Sequence, residues 1–146
     1  MTEHLTKPDP VVRYRSVLDS LDPRLRIAAK LRAVFPMIET QLAAGVPHAA
    51  IMEDLGAGRL NFDHKSLLQE LMQANGSRPP VYKTVETRGQ AHRPTFVVQV
   101  GFNGHVIGSG EGSSKQDAEQ AAAGAALASR DEWLPELRGE EPEPVD

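Results

Sequence analysis

Residues 95–112 hold the pattern that most restricts the fold. From Thr95 to Phe102 the apolar side chains Phe96, Val98, Val100 and Phe102 fall at every second position, the period of a strand with one buried face. Asn103-Gly104 follows at once, and this dipeptide is a strong signal for a two-residue hairpin turn. His105-Val106-Ile107-Gly108 reads as the returning strand. Gly108, Gly110 and Gly112 loosen the chain before Ser114, which reads as the cap of a helix running to about Ser129. Asp117, three residues on, resembles a capping box with a shorter acid. The helix is built mainly of alanine, the best helix former, whose small side chain lets a helix lie close to a sheet.

Upstream, Lys65 to Gln73 reads as a compact amphipathic helix with Leu67, Leu68, Leu71 and Met72 on one side, ended by Asn75-Gly76. Val81 to Val85 reads as a strand, and Thr87 to Arg93 as a loop containing Gly89. Residues 63–129 are therefore expected to form an α-β-β-β-α unit of the α+β class. The preceding chain is all-α in character. Residues 1–22 are an N-terminal extension in which Val11 to Leu21 can form a short helix. Residues 23–62 are a small helical segment: Asp22-Pro23 reads as an N-cap with proline at N1, and Leu25, Ala28, Leu31 and Phe35 form the apolar stripe of the helix that follows. Pro36 is expected to break or kink that helix. Gly45 stops its continuation, and Pro47 opens a further helix that ends at Gly56-Ala57-Gly58. Residues 130–146 form an acidic tail, expected to be disordered, with Trp133, Leu134 and Leu137 as its means of packing back.

Composition excludes several chemistries. The chain of 146 residues has no cysteine, which removes disulfides, thiol nucleophiles and thiolate metal sites together. No apolar run is long enough to span a membrane, and Met1-Thr2-Glu3-His4 opens no signal peptide, so a cytoplasmic location is expected. The net charge of −4 is misleading as a whole. Residues 1–62 carry eight basic and seven acidic side chains, residues 63–129 six of each, and residues 130–146 two and seven. The acidic excess lies in the tail, so a basic patch remains available to either preceding segment.

Four stretches in order carry a resemblance: Asp63-His64-Lys65-Ser66-Leu67-Leu68-Gln69-Glu70-Leu71; Pro80-Val81-Tyr82; Gly89-Gln90-Ala91-His92-Arg93-Pro94-Thr95-Phe96 with Val98 and Val100; and Gly110-Glu111-Gly112-Ser113-Ser114-Lys115 through Ala118 to Ala123. Together they resemble the double-stranded RNA-binding domain, and most closely the copy at the C-terminus of bacterial ribonuclease III. The resemblance implies an RNA duplex as partner, bound through three patches. Lys65, Gln69, Glu70 and Gln73 would serve the first helix, and Gly89, Gln90, His92 and Arg93 the loop between the first two strands. Ser114, Lys115 and Gln116 would serve the last helix, where free N–H groups and the helix dipole favour phosphate. A-form RNA hides its major groove and displays 2′-hydroxyls in a shallow minor groove, so such a domain reads shape across about 16 base pairs with little sequence preference. The family usually has a second adjacent cation after Lys115; here Gln116 stands in its place, with Asp117 and Glu119 nearby, which implies weaker phosphate binding.

The nuclease part of ribonuclease III needs clustered carboxylates around magnesium. Residues 1–62 contain no E-R-L-E-F-L-G-D-like stretch, so a non-catalytic protein without cofactor or metal is expected. Pro36 to Leu55 can also be read as a weak helix-turn-helix. Two uses of it stay open: DNA contact with Lys65 to Met72 as recognition helix, or a docking platform through which a homodimer would pair two RNA-binding domains. The rival functions are therefore a DNA-binding regulator and a protein-interaction module built on the same fold.

Overall fold

The structure is a computed structural model that describes residues 10–137. The outer parts of the expected N-terminal extension (1–9) and acidic tail (138–146) lie outside the described residues. The chain divides between Phe62 and Asp63 into two compact units.

In the first unit, helices α1 (Pro10–Asp19), α2 (Ile27–Ala43) and α3 (His48–Ala57) each pack against the other two. Tyr14, Leu31, Val34, Ile38, Ile51 and Leu55 are fully buried at their centre. Residues 10–19 are thus part of this bundle rather than an extension, anchored by Tyr14 while Val12 stays largely exposed. Asp22-Pro23 caps no helix. Asp22 accepts from the Arg24 N–H at 2.9 Å and its carbonyl from the Leu25 N–H at 3.0 Å, which closes a turn before α2 begins. Leu25 accordingly lies outside the helix and is exposed. Pro36 does not break α2. Leu31, Val34 and Phe35 before it and Ile38 and Leu42 after it are all buried, so packing on both sides of the proline outweighs the one backbone bond it cannot donate.

Three helices end in one motif. The N–H of Val46 bonds the Gln41 carbonyl, that of Leu60 the Leu55 carbonyl, and that of Ser77 the Met72 carbonyl, at 2.9–3.0 Å, each with the matching inner bond from the residue before. This six-residue closure places its fifth residue in the left-handed region. Gly45 (φ 88°) and Gly76 (φ 76°) take that place in two helices; in α3 it falls on Arg59 (φ 72°), one residue beyond the expected glycine stop. A side chain there costs about 1 kcal/mol relative to glycine.

The second unit is a three-stranded antiparallel sheet in the order β1 (Val81–Gln90), β2 (Arg93–Phe102), β3 (His105–Gly112). Helix α5 (Lys115–Ala128) packs on β2 and β3, and α4 (His64–Ala74) packs against α5. The α-β-β-β-α order expected from the sequence is the observed one. Both outer strands exceed their expected lengths, for different reasons. β1 runs to Gln90, where a loop was expected, because ladder pairing with β2 holds a strand whose residues are nearly all exposed and carry no apolar alternation. β3 runs through Gly108, Gly110 and Gly112, which pair with Val100, Val98 and Phe96 and so share one face. A β-carbon at Gly108 would lie 2.5 Å from the Ala122 carbonyl oxygen, and one at Gly112 would lie 2.6 Å from the Ala118 nitrogen; one at Gly110 would collide with the Ala122 nitrogen. Ala118, Ala122 and Ala126, one turn apart and fully buried, present the opposing stripe. The glycines are a surface for the alanine helix rather than a loosening of the chain.

Residues 130–137 form helix α6 (Arg130–Leu137), not the start of a disordered tail. The Trp133 indole donates to the Ala126 carbonyl at 2.8 Å and its ring centre lies 6.1 Å from that of Phe102, while Arg130 donates to the Leu127 carbonyl at 3.1 Å.

Because the strand–helix contact leaves no room for a methyl group, Gly110→Ala should destabilise the second unit by about 1–3 kcal/mol. Trp133 is the single tryptophan of the chain, so its fluorescence during urea unfolding reports this unit alone. An unchanged midpoint would refute the close contact.

Candidate functional site

The first element of the site is α4, whose start is fixed by chemistry at its cap. Asp63 accepts from the Ser66 N–H at 2.8 Å and from the Gln120 amide of α5 at 2.8 Å. The Gln120 carbonyl oxygen in turn accepts from the Lys65 N–H at 3.3 Å. Burial alone would raise the Asp63 pKa, but the bonds from Ser66 and Gln120 and the charge of Lys65 bring it below the usual carboxylate value. Along the helix, Gln69 and Gln73 stand exposed on one face, as their four-residue spacing requires.

Two other residues expected on this face are elsewhere. Glu70 is buried, only 6 % exposed, because it falls among Leu67, Leu68, Leu71 and Met72 on the packed side of the helix. Lys65 turns inward: its Nζ lies 2.5 Å from Glu119 of α5 and 4.9 Å from the centre of the Tyr82 ring of β1. Both members of the ion pair are mostly shielded, with side chains 29 % and 26 % exposed. Burial, and then the nearby charges of Glu119 and Asp63, push the Tyr82 hydroxyl pKa upward. Lys65 therefore clamps α4, α5 and β1 together and is not a free cation, and the same bond neutralises the acid at Glu119.

The second element is the β1–β2 hairpin. Gln90 pairs with Arg93, which leaves Ala91 and His92 as its two turn residues. Gly89 takes φ 86° where a β-carbon would lie 2.7 Å from the Arg93 carbonyl oxygen, so only glycine suits this rung. The β2–β3 ladder ends at Phe96–Gly112, and three more β1–β2 rungs continue beyond it. The hairpin thus projects past β3 by roughly 10 Å, with Gly89, Gln90, His92 and Arg93 all exposed. Arg88, two residues before Gln90, is paired with Glu86 and, at 3.5 Å, with Glu111.

The third element is the start of α5. Ser114 accepts from the Asp117 N–H at 3.0 Å and is occupied as a cap, while the neighbouring Ser113 hydroxyl donates to the Asp117 carboxylate at 3.3 Å. Lys115 and Gln116 are exposed. Since Gly112 ends β3 opposite Phe96, the start of α5 and the projecting hairpin share one end of the sheet. Arg78 and Lys83, which no motif marks, are also exposed and pair with no carboxylate among the described residues. Lys83 pairs in register with Gln99 and Ser109, on the sheet face away from the glycine stripe. Helix α4 packs on α5 within the second unit.

Comparison with known proteins places this arrangement. Residues 64–129 match the family model described as the double-stranded RNA binding motif. Ribonuclease 3 of Desulforamulus reducens is 43% identical over 75 residues, covering 51% of this chain and 30% of that protein. Ribonuclease 3 of Enterococcus faecalis is 45% identical over 76 residues, covering 52% and 33%. Among solved structures, the solution structure of DRB4 dsRBD2 is 42% identical, covering 48% of this chain and 97% of that one with a TM-score of 0.38. The chain aligns with about a third of the length of these ribonucleases.

Two outcomes follow from the clamp at α4. A double-mutant cycle with Lys65→Met and Glu119→Gln, read by Trp133 fluorescence in urea, should give a coupling of about 1 kcal/mol, the upper range for a pair that keeps some solvent; zero coupling would contradict the ion pair. Asp63 has a lowered folded-state pKa, so its contribution is present above about pH 4 and is lost as pH falls. Asp63→Asn should flatten that acid-side loss of stability.

Proposed function

Residues 64–129 are a double-stranded RNA-binding motif, and from that premise we propose that the protein holds an RNA duplex by its shape, without catalysis and with little sequence preference. The observation that carries the reading is the exposure of all three patch centres on elements locked to one another. Gln69 and Gln73 stand on a helix clamped to α5 through Lys65–Glu119 and Asp63–Gln120. His92 stands at the tip of a hairpin that shares its end of the sheet with Lys115 and Gln116.

The chemistry suits each role. Glutamine amides donate and accept, as a 2′-hydroxyl does. His92 with Arg93 forms a narrow probe for a second minor groove, and Lys115 with the unpaired N–H groups of the first turn of α5 faces the phosphates between. Lys65, paired with Glu119, and Glu70, buried on the packed side of α4, act through the position of that helix and touch no RNA. The contact set then consists of Gln69, Gln73, Gly89, Gln90, His92, Arg93, Lys115 and Gln116. Support for a binding role comes from the matched segment, which is the double-stranded RNA binding motif. No described helix is long and apolar enough to cross a membrane; a cytoplasmic site of action is part of the proposal.

With Lys65 withdrawn, few cations remain to meet phosphate. A duplex of about 20 base pairs should bind with a shallow salt dependence, and Lys115→Ala should reduce the slope of log K against log salt by about one. A DNA duplex of the same sequence should bind far more weakly, because it lacks 2′-hydroxyls. Equal affinity for the two duplexes, measured by fluorescence anisotropy, would overturn the reading.

A further inference from the structure

Arg59 occupies the left-handed position that glycine fills at the ends of α2 and α4. The side chain there is an unforced expense to stability unless it has a use. It lines an open groove of about 260 Å³ with Lys30 of α2, Asp19 at the end of α1 and the apolar walls Leu18, Leu21 and Leu60. Neither cation is tied down: the Lys30 and Arg59 side chains make no hydrogen bond or ion pair among the described residues. In the same unit Arg24 is bound to Asp22 at 3.0 Å and Arg15 to the Ala57 carbonyl at 3.1 Å, while Arg13 and Arg26 are, like Lys30 and Arg59, without a side-chain partner among the described residues. The unit carries seven basic and five acidic side chains over residues 10–62, so it has cations in excess of its own needs.

We propose that this groove is a second RNA-contact site and takes one ribonucleotide unit of a strand. Arg59 and Lys30 hold its phosphate, as a donor fork and a point charge suit that group. Asp19 would repel a second phosphate and instead accepts from the ribose 2′-hydroxyl, and the leucine walls cover the carbon face of the sugar. The proposal rests on the reading of residues 64–129 as a duplex-RNA binder. It also follows from the covalent order of the chain: Arg59 precedes the Asp63 cap of α4 by four residues. A site too weak to act alone gains from the effective concentration that such tethering supplies.

Arg59→Gly tests this without endangering the fold, since glycine suits φ 72° better than arginine. In the full chain, Arg59→Gly should raise the urea midpoint of the helical signal while leaving the Trp133 transition in place. Combined with Lys30→Gln, it should weaken binding of a 20-base-pair RNA duplex by about three- to tenfold and lower the salt slope by about one, the release expected for a single phosphate contact. If the wild-type chain binds the duplex and the double variant matches it in affinity and slope, this inference falls alone. If the wild-type chain binds no RNA duplex, the reading of residues 64–129 falls first and this inference with it.

Discussion

The second unit depends on one close contact: a strand without side chains meeting a helix with only methyl groups. Glycines at alternate positions of β3 and alanines one turn apart on α5 allow backbone to approach backbone at distances no larger pair of residues permits. The contact buries little area per residue, so its strength lies in fit and in the dispersion contacts that fit provides. Its consequence is geometric. It sets the start of α5 against the end of β3, and the β2–β3 register then fixes where the projecting hairpin stands relative to that start.

The remaining element, α4, buries Leu67, Leu68, Leu71 and Met72 and is tied to α5 by polar chemistry as well. Asp63, Lys65, Glu119 and Gln120 form a small network across α4 and α5, with Tyr82 of β1 beneath the ammonium group. Removing either charge strands the other in a partly shielded place. The network also settles how charge is distributed in the unit. A lysine and a glutamate that lie near the proposed interface in sequence cancel within the fold, and the exposed cations of the unit that pair with no carboxylate among the described residues are Arg78, Lys83, Arg93 and Lys115. In the proposed interface recognition would lean on glutamines, a histidine and helix-terminal N–H groups, a balance suited to reading hydroxyl groups and shape.

Much of this was legible in the sequence. The alternation from Phe96 to Phe102, the Asn103-Gly104 turn and the Ser114 cap place β2, β3 and α5 correctly because each is a local signal with a local cause. What the sequence did not disclose was set by distant partners. The length of β1 comes from its ladder, the continuation of β3 from a helix lying on its glycines, and α6 from the fit of Trp133 against Phe102 and Ala126. The first unit was hardest to read because its anchor, Tyr14, is a single aromatic in a polar stretch, and because Pro36 is overruled by packing on either side of it. Of the residues that the resemblance implied on α4, Gln69 and Gln73 stand exposed on one face, as their four-residue spacing requires. Lys65 and Glu70 do not, since a lysine stem and an off-row acid turn inward only when a partner elsewhere receives them.

The central claim is that one duplex touches α4, the β1–β2 hairpin and the start of α5 together. It is tested most directly by following the backbone amide resonances of the chain while a 20-base-pair RNA duplex is added. The account predicts that Gln69, His92 and Lys115 shift along a single binding curve with one dissociation constant. Shifts confined to one of the three elements, or three curves with different constants, would contradict it.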